Sequence, residues 1–383
     1  MTFTRFGLAL AMLILWACEP AADRAQVEAE GQVRTYYIAA DVVVWDYAPS
    51  NRNLIFDKEF DEKEAHFVKA GDYRAGKVFK KALYREYTDE TFTILKPRAV
   101  DWEHLGFLGP LIRAEVGDTI KIVFRNNVHF PASMHPHGVF YEKDSEGALY
   151  ADGTEGKDKV DDGVPTGGTH VYTWEVRERA GPPPGGGSTA FWMYHSHVNE
   201  EMDFSAGLVG PMIITAKGMT GEGLRPSDVD REFVVAFMTT EEMSSWYFEE
   251  NLETYAAKAN EVTLGIDVFG TRLAQAPDGF IYMPFMESIN GFLYGNGPVM
   301  TAKKGERVRW YVMAGTSFEV HAPHWHGNVG TVGKMRMDVL ELTTMGMQTL
   351  DMIPDAAGKW LFHCHVMNHF AAGMGTFYEI LEE

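Results

Sequence analysis

Residues 360–374 read WLFHCHVMNHFAAGM, and residues 192–198 read WMYHSHV. Each stretch runs through aromatic residues into two histidines spaced two apart: His363 and His365 in one, His195 and His197 in the other. Side chains alternate between the faces of an extended strand, so each pair aims two imidazoles into one space. A second pair of segments repeats in the same way, MHPHG at 134–138 and PHWHG at 323–327. The matched order and similar separations mark a tandem duplication of one domain. Short β-branched or aromatic runs bounded by Gly, Asp or Pro surround the motifs, at residues 36–38, 42–45, 119–124 and 308–312. Such runs predict an all-β chain of two sandwiches or barrels.

The chain has 383 residues, enough for two domains with full cores. Gly, Pro and Asp cluster between Lys217 and Asp230, which sets domain 1 at 34–217, a linker at 218–231 and domain 2 at 232–383. The main helical candidate is Glu241 to Asn260, and GPPPGGGS at 181–188 reads as a loop. A formal charge of −20 argues against nucleic acid or an anionic membrane surface as partner. No apolar run reaches the roughly eighteen residues a spanning helix needs. Residues 1–17 carry Arg5, an apolar stretch from Phe6 to Trp16 and Ala17, which describes an export signal. Cys18 directly after it resembles a lipidation site, with residues 18–33 as a tether; plain cleavage is the alternative. The chain is therefore expected in the periplasm or cell envelope, meeting a membrane only through a lipid on Cys18. The other cysteine is Cys364, and a disulfide between the two is the weaker reading.

Ten of the 14 histidines fall in four groups: His135/His137, His195/His197, His321/His324/His326 and His363/His365/His369. As packing residues they would each need a polar partner, whereas converging imidazoles suit borderline-soft metal ions. Cys364 has the opposite parity to its neighbours, so its sulfur points to the other face. Two imidazoles, a thiolate and a thioether form the ligand set of a blue-copper electron-transfer site. One short segment thus addresses two metal sites from its two faces, with Cys364, His363 and His365 as the catalytic wire.

These motifs, HPHG, HSH, HAPHWH and HCHVMNHFAAGM, resemble the four copper-binding motifs of multicopper oxidases. Stretches such as KALYREYTDETFT, LGPLIRAEVGDTI and HGVFYEKDSEGALY are similar to ceruloplasmin-type sequences, and the likeness covers most of residues 34–383. The resemblance implies two tandem cupredoxin-like Greek-key β-sandwiches and about four coppers per chain. Type 1 copper would take His321, Cys364, His369 and Met374, and type 2 copper His135 and His324. The type 3 pair would take His137, His195, His197, His326, His363 and His365. In the first repeat Ala132, Ser196 and Leu208 replace type 1 ligands, so one blue site per chain follows. This looks like the small-laccase-like class, in which clusters form between chains of a homotrimer.

The implied reaction takes single electrons from a small reducing substrate and passes them to O₂, giving water. A laccase-like preference for phenols is the first expectation; Fe(II) or Cu(I) is the alternative. Ceruloplasmin-type ferroxidases keep an acid where this chain has Asn368, and their iron-site Glu and His fall on Tyr282 and Glu287, of which only Glu287 could still offer a hard oxygen ligand on the substrate side. Met345, Met347, Met352 and Met367 could favour Cu(I), though packing is the commoner role of such residues. Glu142 and Asp144 are candidates for proton delivery, with surface solvation the commoner role for such acids. The resemblance also implies a Ca²⁺ site at Lys143, Asp158, Asp161 and Asp162, against which stands a solvated acidic loop. A copper nitrite reductase and a copper-free interaction module are the remaining alternatives.

Overall fold

The repeated sequence folds into repeated sheets. The computed structural model describes residues 31–266, 272–316 and 319–382; the expectations for the export signal and Cys18 lie outside them. In the first half a five-stranded sheet runs Val78–Tyr87, Val33–Asp46, Thr119–Asn126, Thr169–Glu175, Phe140–Tyr141. A four-stranded sheet runs Ile112–Glu115, Val209–Thr215, Thr189–His195, His135–Pro136. The second half repeats the plan, with a six-stranded sheet centred on Arg231–Glu241 and Val308–Ala314. Its four-stranded partner runs Met300–Lys303, Gly375–Leu381, Gly358–Cys364, Pro323–Trp325. In both halves the opening strand pairs parallel with its neighbour, Val33–Asp46 with Thr119–Asn126 and Arg231–Glu241 with Val308–Ala314. Among the described residues no helix is long and apolar enough to cross a membrane.

Period-two burial explains the sandwiches. Thr169, Thr173 and Glu175 face out while Tyr172 and Trp174 are buried, and Ile120, Ile122 and Phe124 alternate likewise. Those inward residues form the first core, and Trp310, Trp325, Phe362, Cys364 and Met374 lie in the second. A third apolar cluster joins the halves, drawing Tyr47, Phe79 and Phe107 together with Val234, Met238 and Tyr311. This accounts for the burial of nearly every residue of Arg231–Glu241, on both faces.

Buried ion pairs cross the same junction. Lys81 meets Glu242 at 2.5 Å with both side chains fully buried, and Tyr47 donates to Glu242 at 2.6 Å. Arg113 meets Glu232 at 2.8 Å, and Tyr311 donates to the same carboxylate at 2.9 Å. Breaking such a pair leaves an uncompensated buried charge, so these contacts fix how the halves meet.

The helix expected over 241–260 is shorter. The strand continues to Glu241, a 3₁₀ turn spans Glu242–Ser244, and only Phe248–Tyr255 is α-helical. Drawing Glu242 inward to Lys81 turns the chain where the sequence pattern had suggested continuous helix. The runs at 36–38 and 42–45 are one strand, Val33–Asp46.

Candidate metal centres

Strand register places the histidines. His195 lies directly opposite His135, and His363 directly opposite His324. In the first half the rings of His135, His137, His195 and His197 have centroids 5.2 to 5.6 Å apart for the five pairs in contact. In the second, His324, His326, His363 and His365 form the matching group at 4.7 to 5.4 Å. Nε2 of His137 stands 3.2 Å from Nε2 of His195, and Nε2 of His326 stands 3.1 Å from Nε2 of His363. Two nitrogens bound to one cation at about 2.0 Å and tetrahedral angles are separated by about 3.3 Å, so these spacings fit a shared metal.

Backbone carbonyls set the ring orientations. Nδ1 of His135 meets the Glu146 carbonyl at 2.7 Å, and Nδ1 of His195 meets that of Ser196 at 3.0 Å. Nδ1 of His363 meets the Cys364 carbonyl at 2.8 Å. A carbonyl is an acceptor, so each Nδ1 carries the hydrogen and each Nε2 presents its lone pair. Burial holds His137 and His363 down at about 4 and His195 well below its ordinary value, keeping these rings neutral and ready to ligate.

Each repeat supports its group by one device. Gly138 and Gly327 have φ of +80° and +77°, and a Cβ would stand 2.3 Å from the Trp192 ring and 2.4 Å from the Trp360 ring. Both indoles donate to a carbonyl, Trp192 to Ala180 and Trp360 to Ala356. The Gly after His135-Pro-His137 and after His324-Trp-His326 lets the indole close beneath the ligands.

On the other face of Gly358–Cys364, Cys364 Sγ lies 3.6 Å from Nδ1 of His369 and 4.0 Å from Nδ1 of His321. Metal–sulfur and metal–nitrogen bonds of about 2.3 and 2.0 Å give about 3.5 Å at tetrahedral angles, so the trio fits a bound cation. Met374 is fully buried in the same core, and its backbone N–H donates to the His369 carbonyl at 2.9 Å. Burial pushes the Cys364 thiol up and His321 down to about 3, so metal binding must release the thiol proton. Ala322 N–H points at the sulfur from 3.3 Å.

The equivalent position in the first half has become a structural lock. Ser196 Oγ accepts from Ser133 N–H at 3.1 Å, as the sulfur does from Ala322, and donates to Asp203 at 2.7 Å. The buried Asp203 carboxylate also accepts from the N–H groups of Val198 and Asn199 and from Trp246 Nε1 at 2.8 Å. Sequence reading found Ala132, Ser196 and Leu208 but missed Asp203, which sits six residues after His197 whereas His369 sits four after His365.

Two carboxylates stand near the sulfur site: Glu287, which the sequence reading named on the substrate side, and Glu319, which it missed. Glu319 lies 3.5 Å from Nε2 of His369. Glu287 is buried, accepts from Thr239 at 2.7 Å, and is pushed up to about 7 by burial, with Glu319 and Glu241 adding repulsion. Asn368 is exposed and lines a separate cleft of about 510 Å³ with Phe56, Phe67, Tyr294 and Phe370. Tyr282 is buried with its hydroxyl unpaired. The methionines do not gather: Met352 is core, Met345 and Met347 pack against the inter-half cluster, and Met367 is exposed. In the acidic loop lysines pair with several carboxylates, while Asp161 Oδ1 is buried without a hydrogen-bond partner. Lys159 holds Asp162 at 2.8 Å, Lys157 holds Asp158 at 3.3 Å, and the Lys143 amine faces Glu146 and Asp152. Among the described residues Asp158, Asp161 and Asp162 form no three-donor group.

Two β-sandwiches carrying a thiolate–imidazole site and paired imidazole groups define a blue-copper class of redox protein. Family models described as multicopper oxidase match residues 104–219 and 274–382. The chain belongs to the multicopper oxidases. It is 40% identical over 346 residues to human Ferroxidase HEPHL1, covering 89% of this chain and 29% of that protein. Identity is 37% to rat Hephaestin, covering 96% and 31%, and 34% to human Ceruloplasmin, covering 91% and 31%. The chain thus spans under a third of the length of these relatives. A solved multicopper oxidase matches at TM-score 0.55 and 17% identity over 91% of this chain and 89% of that one. The Blue Copper Oxidase from Nitrosomonas europaea matches at 0.53 and 16%, over 92% and 86%. These structures confirm the cupredoxin-like fold.

Proposed function

We propose that the chain couples oxidation of a low-valent metal cation, Fe(II) foremost, to reduction of O₂ to water. The observation that carries this reading is the pair of carboxylates beside the type 1 ligands: Glu319 at His369 Nε2, and Glu287, whose charge reaches Cys364. Hard oxygen donors next to the electron-accepting edge suit a hard cation as reductant. The names of the ferroxidase relatives agree with it, and together they move the phenol expectation to second place. That second reading keeps one support, the aromatic cleft at Asn368. Steady-state rates with Fe(II), Cu(I) and a phenol side by side test the ranking: Fe(II) should dominate, and a dominant phenol rate overturns it.

In this proposal His321, Cys364, His369 and Met374 hold type 1 copper. His135 and His324 hold type 2 copper, and His137, His195, His197, His326, His363 and His365 hold the type 3 pair. Bound copper supplies one-electron chemistry, while the protein fixes ligand geometry and excludes water. The Cys364 carbonyl on His363 Nδ1 joins the sulfur site to the paired imidazoles through one residue and one hydrogen bond.

Each half offers four cluster imidazoles, and among the described residues no ring contact joins the two groups. His365 is exposed and His324 partly so, as expected if another chain covers them. A head-to-tail ring of three chains would complete each cluster. Copper-loaded protein should elute as a trimer, and an active monomer excludes this assembly. Export with a lipid on Cys18 completes the proposal.

A further inference from the structure

A cavity of about 940 Å³ lies between the first sheet and segment 95–111, and none of its lining residues is a copper ligand. Val43 and Trp45 on one strand, and Leu83 and Arg85 on its neighbour, present same-parity side chains to it. Phe107 and Phe292 close on Trp45, with ring centroids at 5.8 and 5.1 Å. The interior is thus mainly aromatic and aliphatic.

Its charges do not balance. Lys96 is taken by Glu86 at 2.8 Å and Arg113 by Glu232 at 2.8 Å. Arg98 donates to the carbonyls of Gly106 and Leu108, at 2.7 and 2.6 Å, and among the described residues meets no carboxylate. The Arg85 side chain makes no hydrogen bond or ion pair among the described residues, yet its charge reaches Arg98. The one acid left over, Glu103, is exposed, and so is Arg98. Two guanidinium groups without a carboxylate, facing an apolar chamber in a chain of charge −20, are complementary to an anionic head on an apolar body.

We propose that this cavity binds an amphipathic carboxylate, its body against Trp45, Leu83 and Phe107 and its head on Arg85 and Arg98. The site is independent of the copper chemistry. The test titrates copper-loaded, full-length protein with decanoate and with uncharged decanol, by calorimetry and tryptophan fluorescence. Decanoate should saturate one site per chain, with decanol at least about tenfold weaker. Arg85→Gln should weaken decanoate about tenfold and Arg85→Lys less, with the visible spectrum and oxidase rate unchanged. Competition by phosphatidylglycerol vesicles but not phosphatidylcholine ones would assign the head to an anionic lipid, and its absence to a free acid. No saturable decanoate binding, equal binding of decanol, or an unaffected Arg85→Gln variant overturns the proposal.

Discussion

Replacing Glu287 with Gln should raise stability and lower activity together. The carboxyl is moved from 4.5 up to about 7 by burial, so the native state holds this proton more tightly than the unfolded chain. Its contribution to stability is fully present below pH 4.5 and lost as pH rises through about 7. Each pKa unit is worth about 1.4 kcal/mol, so relative to acid conditions the raised pKa costs the fold about 3 kcal/mol at about pH 8 and about 1 kcal/mol at about pH 5. Gln keeps the shape and still accepts from Thr239, but never ionises. Denaturant unfolding of metal-free wild type and Glu287→Gln at those two pH values should show the variant more stable, with the gap widening as pH rises. If Glu287 serves a cation substrate, Fe(II) kcat/KM falls about 10- to 100-fold in the variant while phenol oxidation is spared. In wild type the Fe(II) KM should fall between about pH 6 and 8, as the carboxylate ionises, and lose that dependence in the variant. A gap that stays constant or reverses with pH refutes the burial argument. Unchanged Fe(II) kinetics refutes the substrate role.

Other expectations concern the copper scaffold. Cys364→Ser should remove the intense visible band and about one copper per chain, read by absorption and metal analysis. Gly327→Ala should cost at least about 2 kcal/mol in denaturant unfolding, because its φ is left-handed and the new Cβ meets Trp360. Asp203→Ala should cost about 3 kcal/mol or more, by leaving the Ser196 hydroxyl and Trp246 Nε1 without an acceptor. The same variant should retain less copper, because the HSH turn loses its brace.

The grouping of the histidines was legible because strand alternation is local: parity alone put His363 and His365 on one face and Cys364 on the other. Duplication made the sandwiches legible, since Trp192 and Trp360 sit in matching frames. What sequence spacing hid depends on packing between distant segments. Glu319 reaches His369 across 50 residues, whereas Glu287 had been named from the resemblance and only its partner Thr239 awaited the strand register. Glu242 turns toward Lys81, 161 positions away, which cut short the expected helix.

The central claim is one electron-accepting sulfur site per chain feeding paired imidazole groups. Copper per chain, measured together with the visible spectrum of freshly loaded protein, tests it most directly. About four coppers with one strong thiolate band, the band lost in Cys364→Ser, is the predicted result. A single copper per chain, or a full complement without that band, would contradict it.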